Sequence, residues 1–420
     1  MLRTLSVLLV SAALLIVAPA ASAADFADPA APGPELSVTK KQLSDVLLCS
    51  KGVDEASRAP VLLFQGTGAT AEDNWSWTYQ PALDKRGIPW CAVDIPDHAT
   101  SDIQIAGEYA VAAIREVHRR AGRKVSIIGH SQGGMSPRWA LRFWPDTRGM
   151  VDDVIGFAPS NHGTTQAMCS KEDPCSAAAW QQRDEADLIR AVNSGAETWK
   201  GIDYTVAYSQ TDEIVQPNAD AKTGSSSLRT GEGTISNVAV QSICPVSASN
   251  SHLLIGTVDP VAHGLALDAL DHDGPADPSR VSPLSVCGLP YHEGVNTLTL
   301  PNDSAKAVAS FAGYQPKLVP AEPKLACYVA GSCPASATAP ATGKSCVSRR
   351  RFTVRLPRGL RSVSVTLNGK RLKTRRAANG RRTSVVDLRG RGRGRVTLRV
   401  KGRSADGKLV KRTRKYRTCG

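Results

Sequence analysis

The sequence predicts an α/β front portion built on a mostly parallel sheet, followed by a small C-terminal antiparallel β-sandwich. Three observations carry the prediction. Through the front portion, apolar β-branched runs of strand length alternate with segments whose apolar residues recur at helical spacing. One such run, Val125-Ser-Ile-Ile, ends in Gly129-His-Ser131-Gln-Gly133 just before a helix-like segment. In the tail, the runs instead alternate with period two between Asn-Gly and Asp-Gly turns.

Taken in order, 61–64 and 90–95 read as strands, 105–119 as a helix with Ile105, Tyr109, Ala113, Ile114 and Val117 on one face, and 125–128 as the next strand. A helix over 135–143, a strand over 151–157, a helix over 177–192 and strands over 204–208 and 238–243 follow. This βαβ rhythm implies helices on both faces of a parallel sheet, with ligands bound beyond the carboxyl ends of the strands. Tail strands are expected at 352–356, 363–367, 383–388 and 395–400, with turns at Asn368-Gly369, Asn379-Gly380 and Asp406-Gly407.

Charge divides the chain. Residues 345–420 hold 26 Lys+Arg against 2 Asp+Glu, a balance of +24; subtraction from 52 and 38 leaves 26 and 36, or −10, for residues 1–344. The stretch from Ala321 to Thr342 is rich in Pro, Ala, Ser and Thr, as a linker would be. At the other end, Arg3, an apolar run and Ala21-Ser-Ala23 after Pro19 have the layout of a secretory signal peptide cleaved after Ala23; the apolar core is short for a membrane anchor, and no other stretch approaches a bilayer span. The expected division is therefore a leader over 1–23, a front domain over 24–320, a linker over 321–344 and a basic domain over 345–420. In an exported chain the ten cysteines (Cys49, Cys91, Cys169, Cys175, Cys244, Cys287, Cys327, Cys333, Cys346 and Cys419) point to disulfides, with no C-x-x-C pair to suggest a metal. Cys169 and Cys175 are close enough for a local clasp, and Cys346 and Cys419 bracket the tail.

The pentapeptide sets the chemistry. A serine on a sharp strand-to-helix turn has crowded neighbours, so glycine is needed two before and two after it; Gly129 and Gly133 supply both, and Ser131 is lifted clear of the sheet. A serine nucleophile needs a base and an acid to orient that base, following in the order Ser, acid, His in the α/β-hydrolase arrangement. Asp212 lies just past the end of the 204–208 strand, on the edge where Ser131 sits, although Thr211-Asp212 is also ordinary turn chemistry. After it only His252, His263, His272 and His292 remain. His252 follows a strand through a short loop that returns to that edge and is the expected base; His263, in an apolar helical stretch, comes next. Acyl transfer also needs donors for the oxyanion, which Gln132 and the loop Gln65-Gly-Thr67-Gly-Ala-Thr70 can provide, Thr67 adding a hydroxyl to its N–H. No lysine follows this loop at P-loop spacing.

From about Leu43 to Leu289 the sequence resembles the Candida antarctica lipase B family. The resemblance rests on Pro60-Val-Leu-Leu-Phe-Gln-Gly-Thr67-Gly68, the elbow Ser131-Gln-Gly-Gly134, Trp180-Gln-Gln182 and, above all, Ser209-Gln-Thr-Asp212-Glu-Ile-Val-Gln-Pro217. It implies a lipase of α/β-hydrolase fold with Ser131, Asp212 and His252 as triad and with Thr67 and Gln132 at the oxyanion hole. It also implies disulfides Cys49–Cys91 and Cys244–Cys287. Two departures bear on substrate preference: His130 stands where the yeast lipase has Trp before the nucleophile, and Ser251 where it has Asp before the base. The Cys169–Cys175 insertion precedes the predicted 177–192 helix, which in the family borders the acyl entrance. The tail lies outside the resemblance.

Asp271-His-Asp273-Gly274 resembles the start of a calcium loop, but Pro275 and Ser282 stand where ligands belong, so no metal is expected. Nucleic acid is not an expected partner of the tail, which is exported and holds only Phe352 and Tyr416 as aromatics. The tail reads either as a solvated basic face or as a tether to an anionic surface. The expectation is a secreted serine carboxylic-ester hydrolase that needs no cofactor, a triacylglycerol lipase acting on lipid esters. A polyesterase or short-chain carboxylesterase is the alternative within hydrolases, and a non-catalytic surface-binding protein the alternative from another class.

Overall fold

The computed structural model describes residues 26–246, 251–331, 351–356, 360–376, 382–388, 394–404 and 408–418. The predicted leader, Cys333, Cys346, Cys419 and the turns at Asn379-Gly380 and Asp406-Gly407 lie outside them. The chain divides into two compact units, Met1–Thr338 and Ala339–Gly420.

The sheet of the front unit runs in the order Leu47–Cys49 (β1), Trp90–Val93 (β3), Val61–Phe64 (β2), Val125–His130 (β4), Val151–Phe157 (β5), Asp203–Tyr208 (β7) and Thr234–Ala239 (β8). Only β1 is antiparallel to its neighbour. Alternation along a strand sends successive side chains to opposite faces. Thus Leu62 and Phe64 join one apolar cluster with helices Lys40–Val46 (α1), Ile103–Ala121 (α4), Gln132–Phe143 (α5), Ala177–Gln181 (α6) and Asp187–Val192 (α7). Val61 and Leu63 join the other, with Ala71–Trp75 (α2), Tyr79–Lys85 (α3), Val240–Ile243 (α8), His252–Ile255 (α9), Pro260–Asp271 (α10) and Pro283–Val286 (α11). Helix Leu300–Gly313 (α12) buries no residue, and a ribbon of Cys175–Ser176 (β6) and Leu318–Val319 (β9) stands apart from the main sheet. Disulfides join Cys49 to Cys91, Cys169 to Cys175 and Cys244 to Cys287.

Three expectations are corrected. The predicted 238–243 strand is the end of β8 followed by α8, because Val240 and Ile243, three apart, both bury their side chains by making one helical turn. The predicted 177–192 helix is broken into α6 and α7. Between them the chain turns aside to pair Thr164 with Arg183, and the start of α7 is capped from far away by Glu322, whose carboxylate accepts from the N–H groups of Asp187 and Leu188 at 3.0 and 2.9 Å. The stretch His252–Asp271 has the length and apolarity of a bilayer span, but it is split into α9 and α10 and packs mostly as core. Residues 322–331 also pack on the front unit: Trp139 Nε1 donates to the Tyr328 hydroxyl at 2.9 Å, and Val329 is fully buried.

The basic unit holds two antiparallel sheets, ordered Arg351–Arg355 (β10), Arg382–Asp387 (β14), Thr374–Arg376 (β13) and Lys370–Leu372 (β12), Leu360–Leu367 (β11), Gly394–Ser404 (β15), Leu409–Thr418 (β16). Val354 and Val386 from the first sheet meet Val365, Leu367, Val396 and Leu398 from the second in one core. The β11–β12 hairpin turns on Asn368 and Gly369, both with positive φ (47° and 84°), as a type I′ turn demands. Strand β16 was not expected, since cations fall on both of its faces and hide the alternation.

Candidate active site

Strand β4 delivers Ser131 to the carboxyl edge of the sheet with φ 56° and ψ −124°, a strained conformation for a non-glycine residue. The turn is held because the Ser131 N–H donates to the Phe157 carbonyl at 2.9 Å. Its glycines are steric necessities. A Cβ on Gly129 would sit 2.0 Å from the Gly133 carbonyl oxygen, and one on Gly133 would sit 2.2 Å from that of Phe64.

Asp212, in the loop after β7, points one carboxylate oxygen at its own turn, accepting from the N–H groups of Ile214 and Val215 at 2.8 Å each. The other oxygen lies 2.9 Å from His252 Nδ1, with both side chains buried. A carboxylate only accepts, so Nδ1 carries the proton and Nε2 keeps a lone pair. His252 opens α9, and its N–H donates to the Glu213 carboxylate at 3.0 Å. The other candidate bases lie elsewhere. His263 is buried in stacked contact with His292 at 4.3 Å, and His272 pairs with Asp268 at 3.3 Å.

His130, which sequence reading flagged only as a departure, packs beside His252 with ring centroids 5.0 Å apart. Its Nε2 donates to the His252 carbonyl at 2.9 Å, so its Nδ1 must accept, and Asn74 Nδ2 donates there at 3.1 Å. Burial, and then the neighbouring His252, push its pKa down to about 3. The other end of Asn74 accepts the Gly66 N–H at 3.0 Å. One neutral chain of hydrogen bonds thus runs from the loop of Thr67 to the backbone of His252.

Thr67 lies between two anchored amides, because the Gly66 N–H is taken by Asn74 and that of Gly68 by the His98 carbonyl at 2.7 Å. Its hydroxyl donates to Gln132 Oε1 at 2.7 Å and accepts from Gln182 Nε2 at 2.9 Å. Gln182 is fixed in turn by Ser160, whose hydroxyl donates to its Oε1 at 2.8 Å. Trp180-Gln-Gln182 was legible as a motif, but only the fold places Gln182 against both expected oxyanion donors. Above this loop lies α12, which sequence reading missed. Phe311 covers Gly68 so closely that a Cβ there would lie 2.4 Å from its ring, while Val308 and Phe311, and Leu298 just before the helix, are 63%, 58% and 91% exposed. Pro301 near its start and Ala and Val at helical spacing were the available signals. Among the described residues no group of three His, Cys, Asp or Glu side chains could hold a metal ion.

No family model matches the chain. Lipase B of Pseudozyma antarctica is 32% identical over 219 residues, 51% of this chain and 63% of that protein, so the match spans less than two thirds of the relative's length. The crystal structure of Aspergillus fumigatus lipase B superposes with a TM-score of 0.65 at 29% identity, covering 71% of this chain and 74% of that one. Bacillus licheniformis lipase BlEst2 in mature form is a more distant neighbour, at 15% identity and a TM-score of 0.36 over 48% of this chain and 88% of that one. In sequence and in fold, the front unit of this chain is lipase B-like, on an α/β-hydrolase scaffold.

Proposed function

We propose that the chain is a secreted serine carboxylic-ester hydrolase, and among these a triacylglycerol lipase acting through an acyl-enzyme. The observation that carries this reading is the buried Asp212–His252 hydrogen bond on the same sheet edge as the Ser131 elbow. Ser131 Oγ attacks the ester carbonyl as His252 Nε2 takes its proton; Asp212 keeps the proton on Nδ1 and stabilises the imidazolium. The histidine then protonates the departing alcohol, and in the second half-reaction it takes a proton from the water that attacks the acyl-enzyme. The oxyanion accepts from the N–H groups of Gln132 and Thr67 and from the Thr67 hydroxyl, which turns away from Gln132 Oε1 as charge develops. No cofactor is required for these steps.

The exposed apolar residues of α12 beside the oxyanion loop favour an apolar substrate phase over small soluble esters. Likeness to two lipases B supports the same choice. The predicted leader and the disulfides support export, and the basic unit supports contact with an anionic surface. The test is a series of p-nitrophenyl esters of rising acyl length beside emulsified triolein, with Ser131→Ala as control. Turnover of long chains and triolein is expected. Turnover of short esters alone would make the chain a short-chain esterase, and activity surviving Ser131→Ala would remove the serine mechanism.

A further inference from the structure

We propose that the outer face of the four-stranded sheet in the basic unit docks on an anionic phospholipid bilayer, bringing the enzyme to lipid; the choice of lipid among polyanions rests on the ester-hydrolase reading. The face is defined by register and burial. Val365, Leu367, Val396, Leu398 and Val400 are buried, so the residues alternating with them point outward. Those outward positions carry the exposed cations Arg371, Arg399, Lys401, Lys411 and Lys415 on β12, β15 and β16. Hydroxyls fill the gaps, with Ser364 opposite Lys401, Thr366 opposite Arg399 and Thr413 opposite Arg399. None of the four strands contains an Asp or Glu.

Stability alone does not ask for such a face. Lys401 and Lys411 stand directly opposite each other across the ladder, and like charges so placed repel. An external polyanion supplies the missing counter-charge. Ammonium and guanidinium groups donate only, and the hydroxyls between them can donate as well, which suits phosphate oxygens that only accept. With strands about 4.8 Å apart and outward residues about 6.8 Å apart along each strand, the cations form a two-dimensional array. A plane of headgroups meets the whole array, whereas a single linear polyanion follows one row. Stacking of nucleic-acid bases has no platform here, because Phe352 and Tyr416 pack on each other with ring centroids 5.1 Å apart. The exposed Leu298, Val308 and Phe311 of the front unit independently suit a lipid phase.

The test uses the full chain carrying Ser131→Ala, so that the vesicles are not consumed. Co-sedimentation with phosphatidylcholine vesicles, with and without phosphatidylglycerol, should show binding only to the anionic ones, released as ionic strength rises. Each cation near an anionic bilayer contributes about five-fold in affinity, so Lys401→Glu with Lys411→Glu should weaken binding by about 25-fold or more. Arg375→Glu with Arg376→Glu, the same charge change on the other sheet, should weaken it far less. Equal binding to neutral vesicles, equal loss from both double variants, or capture by soluble polyphosphate with indifference to vesicles would each overturn the proposal. Hydrolysis of a soluble short ester, measured with Ser131 intact, should be unchanged by Lys401→Glu with Lys411→Glu. If no ester were turned over while anionic vesicles still bound, the hydrolase reading would fall and the docking face would stand.

Discussion

In the front unit two apolar clusters enclose the seven-stranded sheet, and polar side chains enter the interior in hydrogen-bonded sets such as Asp212–His252 and Asn74–His130. In the basic unit, nine buried apolar residues among those described make the core, with the Ser384 hydroxyl buried beside them and donating to the Lys373 carbonyl at 3.0 Å, and the charge lies on the outside. A large core can hold polar groups in fixed geometry because closing their hydrogen bonds offsets the cost of burial. A small one has room for few such groups, and what it offers a partner is a surface field. The two units should therefore respond to different perturbations.

The greatest separation is expected from the nucleophile. Ser131→Ala should lower kcat by about 10⁴-fold or more, and Asp212→Asn by about 10⁴-fold through loss of the correct tautomer, with vesicle binding untouched by either. Activity retained by His252→Ala but lost in His263→Ala would show the base to be misassigned.

Thr67→Val should come next, lowering kcat by about 10²- to 10³-fold with KM little changed, since its hydroxyl is turned to Gln132 until charge develops. An effect confined to KM would make Thr67 a ground-state binding residue.

The boundary between the units gives a smaller effect. A chain ending at Thr338 should fold and keep its kcat on soluble esters. One ending at Lys324 loses Tyr328 and buried Val329, and should be less stable by about 2–5 kcal/mol in urea unfolding. Equal stability of the two would return the boundary to Ala321.

Acid should distinguish the units by the smallest margin. Burial holds His130 down to about 3 and His292 to about 4, below the usual 6.5, and holds His263 low as well. The folded front unit therefore binds fewer protons than the unfolded chain, and its stability falls as pH drops from about 6.5 towards 4. Buried Asp153, raised to about 7 by desolvation, opposes this by protonating in the folded state, but the depressed histidines outnumber it. The basic unit has no histidine. Its melting should be flat over that range, and a parallel loss in both units would contradict the assignment to these histidines.

Much of this is legible in the sequence. The Ser131 elbow is a local steric problem that names its own glycines, the Asn368-Gly369 hairpin a local torsional one, and the division of charge a matter of composition. Asp212 could be placed because it lies four residues past the end of an apolar run. Strand β16 and helix α12 were missed because their patterning is weak: cations occupy both faces of the one, and the other buries nothing.

What only the tertiary structure decided are relations between residues distant along the chain. These include Asn74 linking Gly66 to His130, Gln182 against Thr67, and Glu322 capping the helix that begins at Asp187. Burial then fixes His130 as a neutral donor to His252. Sequence alone determines torsions, periodicity and charge, because those depend on a residue and its near neighbours. Hydrogen-bond partners and protonation depend on which groups are left together once water has been excluded, and that is set by the packing of the whole sheet and its helices.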